Sequence, residues 1–133
     1  MATTTATLTI SSADLTSNPL SITTSSTLYK AGTTIGLEQT TGLAKKVYAA
    51  AQSNTTLISA GDYADDTHSR IYIRNSGSST TDFFTVTIAS GNSVIGRLYG
   101  GDFLFIPYEG EEDIDISSSA TNMELEFMVI NEG

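Results

Sequence analysis

The feature that most constrains this chain is the run from residue 69 to residue 130. Short segments there alternate apolar and polar side chains, and clusters of Gly, Asn, Ser and Asp separate them: RIYIRNSG, DFFTVTIAS, SVIGRLYGGDFLFIPYEG, DIDISSS and NMELEFMVIN. A period of two sends successive side chains to opposite faces of a strand, so each segment can bury one face. Ile71 and Ile73, then Phe84, Val86 and Ile88, then Ile114 and Ile116, and finally Leu125, Phe127 and Val129 are the expected inward rows. Short strands at this spacing predict an all-β chain: a single-domain antiparallel β-sandwich, jelly-roll-like, of about eight or nine strands.

The segments before this run are weaker. Residues 6–10 alternate, with Leu8 and Ile10 on one face and Thr7 and Thr9 on the other, so residues 1–15 read as a first strand or an extended arm ahead of a sandwich over 16–133. Residues 20–29 predict a weak strand closed by the turn at Lys30-Ala31-Gly32, and residues 35–41, bracketed by Gly36 and Gly42, a loop. LAKKVYAAAQ (43–52) fits a helix, with Leu43, Val47 and Ala51 at intervals of four, or a strand in a hairpin with 55–60. Its β neighbours favour the strand, since a lone helix of about ten residues needs packing to survive. Residues 103–106, Phe-Leu-Phe-Ile, are apolar without a break, which predicts a strand covered on both faces, by the N-terminal half or by a neighbouring subunit.

Charge and cysteine content narrow the partners. Acids outnumber bases 15 to 6, for a formal charge of -9, and the six cations are scattered. Nucleic acid is therefore not an expected partner, because binding it requires a basic patch to displace counterions. The chain has no cysteine, which excludes disulfides and thiolate metal sites. No apolar run approaches the length of a membrane span, and the N-terminus lacks a basic region followed by an apolar one, so a soluble protein made in the cytoplasm is expected. Ser and Thr exceed a quarter of the residues, a composition suited to exposed strand faces.

The segments that could carry chemistry do so poorly. Asp62, Asp65, Asp66 and His68 share one loop, but their spacing matches no EF-hand and one histidine does not build a zinc site. Glu109, Glu111, Glu112, Asp113 and Asp115 form a second acidic cluster, where paired carboxylates could divide into acid and base; charge repulsion at an exposed turn is the commoner use. Gly96, Gly100 and Gly101 lack the Lys-Ser/Thr of a phosphate loop, and no nucleophile elbow accompanies the serines. The expectation is no catalytic residue, no cofactor and no metal.

Residues 56–126, with LISAGDY, RIYIRNSG, VIGRLYGGDFLFIPYEG, DIDISSS and NMELEFMV, resemble small β-rich virion proteins of tailed bacteriophages, particularly cyanophages. The resemblance implies a non-enzymatic structural role on the virion: a decoration or cement protein on the outer surface of the head, with the major capsid protein as partner and a homo-oligomer, a trimer, as its state. The contacts expected on this reading are Leu8 and Ile10 on the arm, Leu104 and Ile106 on the doubly apolar strand, and Tyr99 and Tyr108. Two alternatives stay open: a tail or baseplate component, and a carbohydrate-binding host-adhesion sandwich that would use Tyr99, Phe105 and Tyr108.

Overall fold

A computed structural model describes residues 3–132. Among them are eleven strands, one 3-10 turn at Ala60–Asp62 and no α-helix: β1 (Thr5–Ser12), β2 (Leu20–Thr27), β3 (Gln39–Thr40), β4 (Ala44–Tyr48), β5 (Thr55–Ile58), β6 (Ser69–Asn75), β7 (Phe83–Ile88), β8 (Ser93–Tyr99), β9 (Phe103–Tyr108), β10 (Ile114–Ser118) and β11 (Met123–Asn131). Every ladder is antiparallel. The all-β expectation therefore holds, and the segment 43–52 contains a strand rather than a helix. Eleven strands stand against the eight or nine expected, and the loop predicted over 35–41 contributes the two-residue β3.

Pairing among β4 to β11 is nested. β7 pairs β8, β6 pairs β9, β5 pairs β10 and β4 pairs β11. Two further ladders, β10 with β7 and β11 with β6, gather these strands into a four-stranded sheet in the order β5-β10-β7-β8 and a five-stranded sheet in the order β3-β11-β6-β9, where β4 also lies on β11. The hairpin expected between 43–52 and 55–60 does not form, because residues 49–54 carry the chain from one sheet to the other.

The alternation read from the sequence fixes the register of the inner faces. Ile71 and Ile73 of β6 lie beside Val129 and Phe127 of β11 on one side and Ile106 and Leu104 of β9 on the other. Facing them, Phe84 and Val86 of β7 lie beside Ser118 and Ile116 of β10. Ile71, Ile73, Phe84, Val86, Ile116, Leu125 and Val129 are fully buried in one apolar cluster drawn from both sheets. Tyr48 of β4 meets the ring of Phe84 edge-on at 6.2 Å, a contact that spans the two layers. Sliding any of these strands by one residue would turn its apolar row to water, so burial sets the register.

A polar clamp closes the gap between the sheets where β6 ends. Asn75 is buried; its side-chain amide donates to the Leu98 carbonyl of β8 at 2.8 Å, and its side-chain oxygen accepts from the Gly77 N–H at 3.0 Å. Its backbone N–H donates to the Asp102 carbonyl, and its carbonyl accepts from the Gly101 N–H, each at 2.9 Å. One residue of the five-stranded sheet thus holds the β8–β9 turn and a strand of the four-stranded sheet. Asn75→Ala leaves the Leu98 carbonyl without this donor inside the protein, and is expected to lower the unfolding free energy by about 1–3 kcal/mol. Urea unfolding followed by circular dichroism should show a lower midpoint with an unchanged slope.

Candidate interaction surface

The β1–β2 hairpin stands apart from the two-sheet body. Its strands pair along eight positions from Thr5↔Thr27 to Ser12↔Leu20, and neither pairs with any other strand among the described residues. Register divides the ribbon into two unlike faces. One carries Thr5, Thr7, Thr9, Ser11, Ser21, Thr23, Ser25 and Thr27; the other carries Ala6, Leu8, Ile10, Leu20, Ile22, Thr24 and Ser26. Branched hydroxyl residues keep the first face extended and hydrated, with Thr7 and Ser25 hydrogen-bonded across the strands at 3.0 Å. On the second face Ile10 lies opposite Ile22, and Leu8, Ile10 and Ile22 are all exposed. The expected arm boundary at residue 15 falls in the connection between β1 and β2, so the part that stands apart runs on through Thr27.

The arm is anchored at its base. Leu28 and Leu37 are buried, and the Leu28 N–H donates to the Thr4 carbonyl while its carbonyl accepts from the Leu37 N–H. The Glu132 carboxylate accepts from the Ala31 N–H at 3.1 Å and from the His68 N–H, and the His68 ring Nδ1 lies 2.6 Å from the Tyr29 carbonyl oxygen. The arm exit, the 61–68 loop and the end of β11 therefore share one set of hydrogen bonds.

Above the body the arm meets the outer face of the five-stranded sheet. The pairing of β9 with β6 sends Leu104, Ile106 and Tyr108 inward and sets Phe103, Phe105 and Pro107 outward beside Arg74, Tyr72 and Arg70. Ala6, Leu8, Thr24 and Ser26 of the arm and Tyr72, Phe103 and Phe105 of the sheet line a groove of about 540 Å³. Beside it Arg74 lies 3.6 Å from Glu126, which also accepts from the Tyr72 hydroxyl at 2.9 Å. The sheet face thus offers aromatic surface beside a paired Arg74 and an Arg70 that, among the described residues, bonds only the Ser69 carbonyl.

Of the residues expected to make partner contacts, Leu8 and Ile10 lie on the exposed apolar face of the arm. Leu104 and Ile106 pack against the core instead, and β9 is not covered on both faces: Phe103 and Phe105 remain exposed under the groove. Tyr99 packs against Phe83 with ring centroids 5.2 Å apart and planes tilted by 51°, at the end of β8. Tyr108 is buried, with its hydroxyl donating to the Glu112 carbonyl at 2.8 Å and Tyr63 edge-on at 5.9 Å. Burial first, then the nearby Asp113, Tyr63, Asp62 and Asp65, push its phenol up to about 12. Tyr99, Phe105 and Tyr108 therefore share no face on which a sugar could stack. Sequence reading placed Tyr72 outward with Arg74 but missed Phe103 and Ile22 as surface groups. In an unbroken apolar run both parities look alike, and only the register against Ile71 and Ile73 identifies the outward one.

The two acidic stretches, separate in sequence, meet at one end of the body. Gly110 makes this approach possible: its φ is +87°, and a Cβ there would sit 2.6 Å from the Ala64 carbonyl oxygen. Carboxylate oxygens of Asp66, Glu109 and Glu111 come within 4.8 Å of one another, all exposed. His68, bound to the arm base, is not in this group, and Asp113 is turned away to accept from the Ala60 N–H. Asp115 lies within the four-stranded sheet opposite Thr87, buried, with one carboxylate oxygen unpartnered by any described residue. Beside the cluster, His68, Tyr108, Glu109, Glu111 and Glu112 line an open cleft of about 420 Å³. Compared with known proteins, the chain matches no family model, no curated protein and no solved structure.

Two predictions follow from this geometry. Glu109 and Asp66 are the main causes holding the Glu111 carboxyl above its ordinary range. A carboxyl that binds its proton more tightly when folded makes the protein more stable as pH falls and less stable as pH rises through its titration. Glu111→Gln is expected to raise the thermal midpoint at neutral pH, with the gain shrinking in added salt and vanishing below about pH 4. Glu132→Ala removes the acceptor shared by Ala31 and His68, so hydrogen exchange at these two amides should accelerate while Ile71 and Leu125 stay protected.

Proposed function

We propose that this chain is a non-enzymatic virion structural protein of a tailed bacteriophage, a capsid decoration or cement protein that binds the outer surface of the head and stabilises it. The observation that carries the reading is the arm: a two-stranded ribbon, apolar on one face and hydroxyl-rich on the other, with both outer edges unpaired, set apart from the two-sheet body. An isolated two-stranded ribbon is marginal in water, and its open edges offer backbone donors and acceptors to a further strand. Strand addition needs little side-chain information, which suits a grip on a repeating protein shell.

The body supports the same reading. Nested pairs β7–β8, β6–β9, β5–β10 and β4–β11, rolled so that β10 meets β7 and β11 meets β6, follow the strand order of a jelly roll, an architecture common in viral capsid domains. Acidic loops at one end suit exposure to solvent, away from packaged DNA. The major capsid protein is the proposed partner, and the proposed state on the shell is a homo-oligomer, a trimer.

Cryo-electron microscopy of virions carrying the chain, labelled with an antibody against it, tests the assignment. A regular array over the head is expected; label confined to the tail tip or baseplate, or absent from particles, would overturn it. Removing residues 2–27 takes away no member of the buried core cluster and is expected to abolish shell binding while the far-ultraviolet spectrum stays β-rich.

A further inference from the structure

The apolar face of the arm is longer than the groove beneath it. Leu8 lines the groove, but Ile10 and Ile22, cross-strand partners one step further along the same face, do not. They project past the chain's own sheet at 42% exposure each, while Phe103 and Phe105 on that sheet are 57% and 37% exposed. The molecule thus carries an unburied apolar pair and, separately, an unfilled aromatic groove.

We infer that the two fit each other between copies: the Ile10–Ile22 pair of one chain seats in the groove that Leu8, Tyr72, Phe103 and Phe105 form on a second copy. The proposal rests on the structural reading above only in taking copies of this chain to be neighbours. Charge distribution favours this occupant. The chain carries a net charge of -9, so most of its surface repels a second copy, yet Asp14 is the only charged side chain in the first 29 residues. Around the groove Arg74 is paired with Glu126, while Arg70, further along the same face, bonds the Ser69 carbonyl and no described carboxylate. Arm and groove therefore bring no two carboxylates together, so two acidic copies can touch there without the repulsion that the rest of the surface carries.

The area is also of the right size. Leu8, Ile10, Ile22, Phe103 and Phe105 together expose on the order of 400 Å² of apolar surface, the scale at which a patch marks an interaction site. One-way exchange around a ring of three, the proposed trimer, makes this contact three times, on the order of 1,200 Å² over the whole assembly. Reciprocal exchange of arms closes the assembly, whereas a one-way exchange closes only as a ring.

The absence of cysteine makes the test direct. The Ile10→Cys and Phe105→Cys chains are prepared separately, mixed without particles and oxidised. A disulfide joining the two different chains is expected, and none when Phe105→Cys is replaced by Val47→Cys, an exposed position on the opposite edge of the sheet. Light scattering should give the wild-type chain a mass above the monomer and return Ile10→Asp/Ile22→Asp to the monomer with an unchanged far-ultraviolet spectrum. A monomeric wild type at the highest concentration reached, or a double Ile10→Cys/Phe105→Cys chain that closes only on itself, would overturn the proposal. Because no shell is present, such a failure leaves the decoration reading standing, and a chain missing from virions leaves this one standing.

Discussion

Everything in the body depends on the apolar layer held between two sheets, where Phe84 of one meets Tyr48 of the other and Ile71, Ile73, Leu125 and Val129 fill the space around them. This burial is the main source of stability available to a chain with no disulfide, and it acts on register as strongly as on energy. The polar clamp at Asn75 then decides how the two layers meet at the β8–β9 end. Apolar burial has no direction of its own, and the four hydrogen bonds at this one residue supply it.

Outside that layer the molecule separates its surfaces by kind. Carboxylates gather where Gly110 lets the 61–68 loop and the 109–112 turn approach, while the arm is almost free of charge. Like charges at the tip cost some stability and make that end an unfavourable place for a second acidic surface. Concentrating repulsion at one place and apolar surface at another specifies how a protein can associate better than either feature alone.

How far the sequence could be read depended on whether alternation was present. Where apolar and polar residues took turns, as in Ile71-Tyr72-Ile73-Arg74 or Glu124-Leu125-Glu126, the inward face was legible without any structure. It was not legible in Phe103-Leu104-Phe105-Ile106, where both faces look apolar and only the ladder to β6 shows that the two phenylalanines point out. Pairing partners far apart in sequence were equally hidden: nothing local distinguishes β4 beside β11 from β4 beside β5, because strands pair by backbone groups that every residue carries. The arm was visible only as half of itself, since the scattered apolar residues of 20–27 acquire meaning through their register with β1. The meeting of the two acidic loops depends on the positive φ at Gly110, which composition alone does not signal.

The position of β11 sets the order in which this architecture can assemble. It is the hub of its sheet, with β3 and β4 on one edge and β6 on the other, yet it follows all of them in the chain. During synthesis β4 and one edge of β6 must therefore wait unpaired while β7–β8 closes over a short turn and β9 then returns to β6, because no ladder joins β4 to β6 until residues 123–131 have emerged. A nascent chain in that condition is prone to pairing with its neighbours on the polysome. The β1–β2 ribbon, whose pairing is local, is the first part of the chain able to pair, so of the contact proposed between copies the arm half precedes the groove half, which waits for β9.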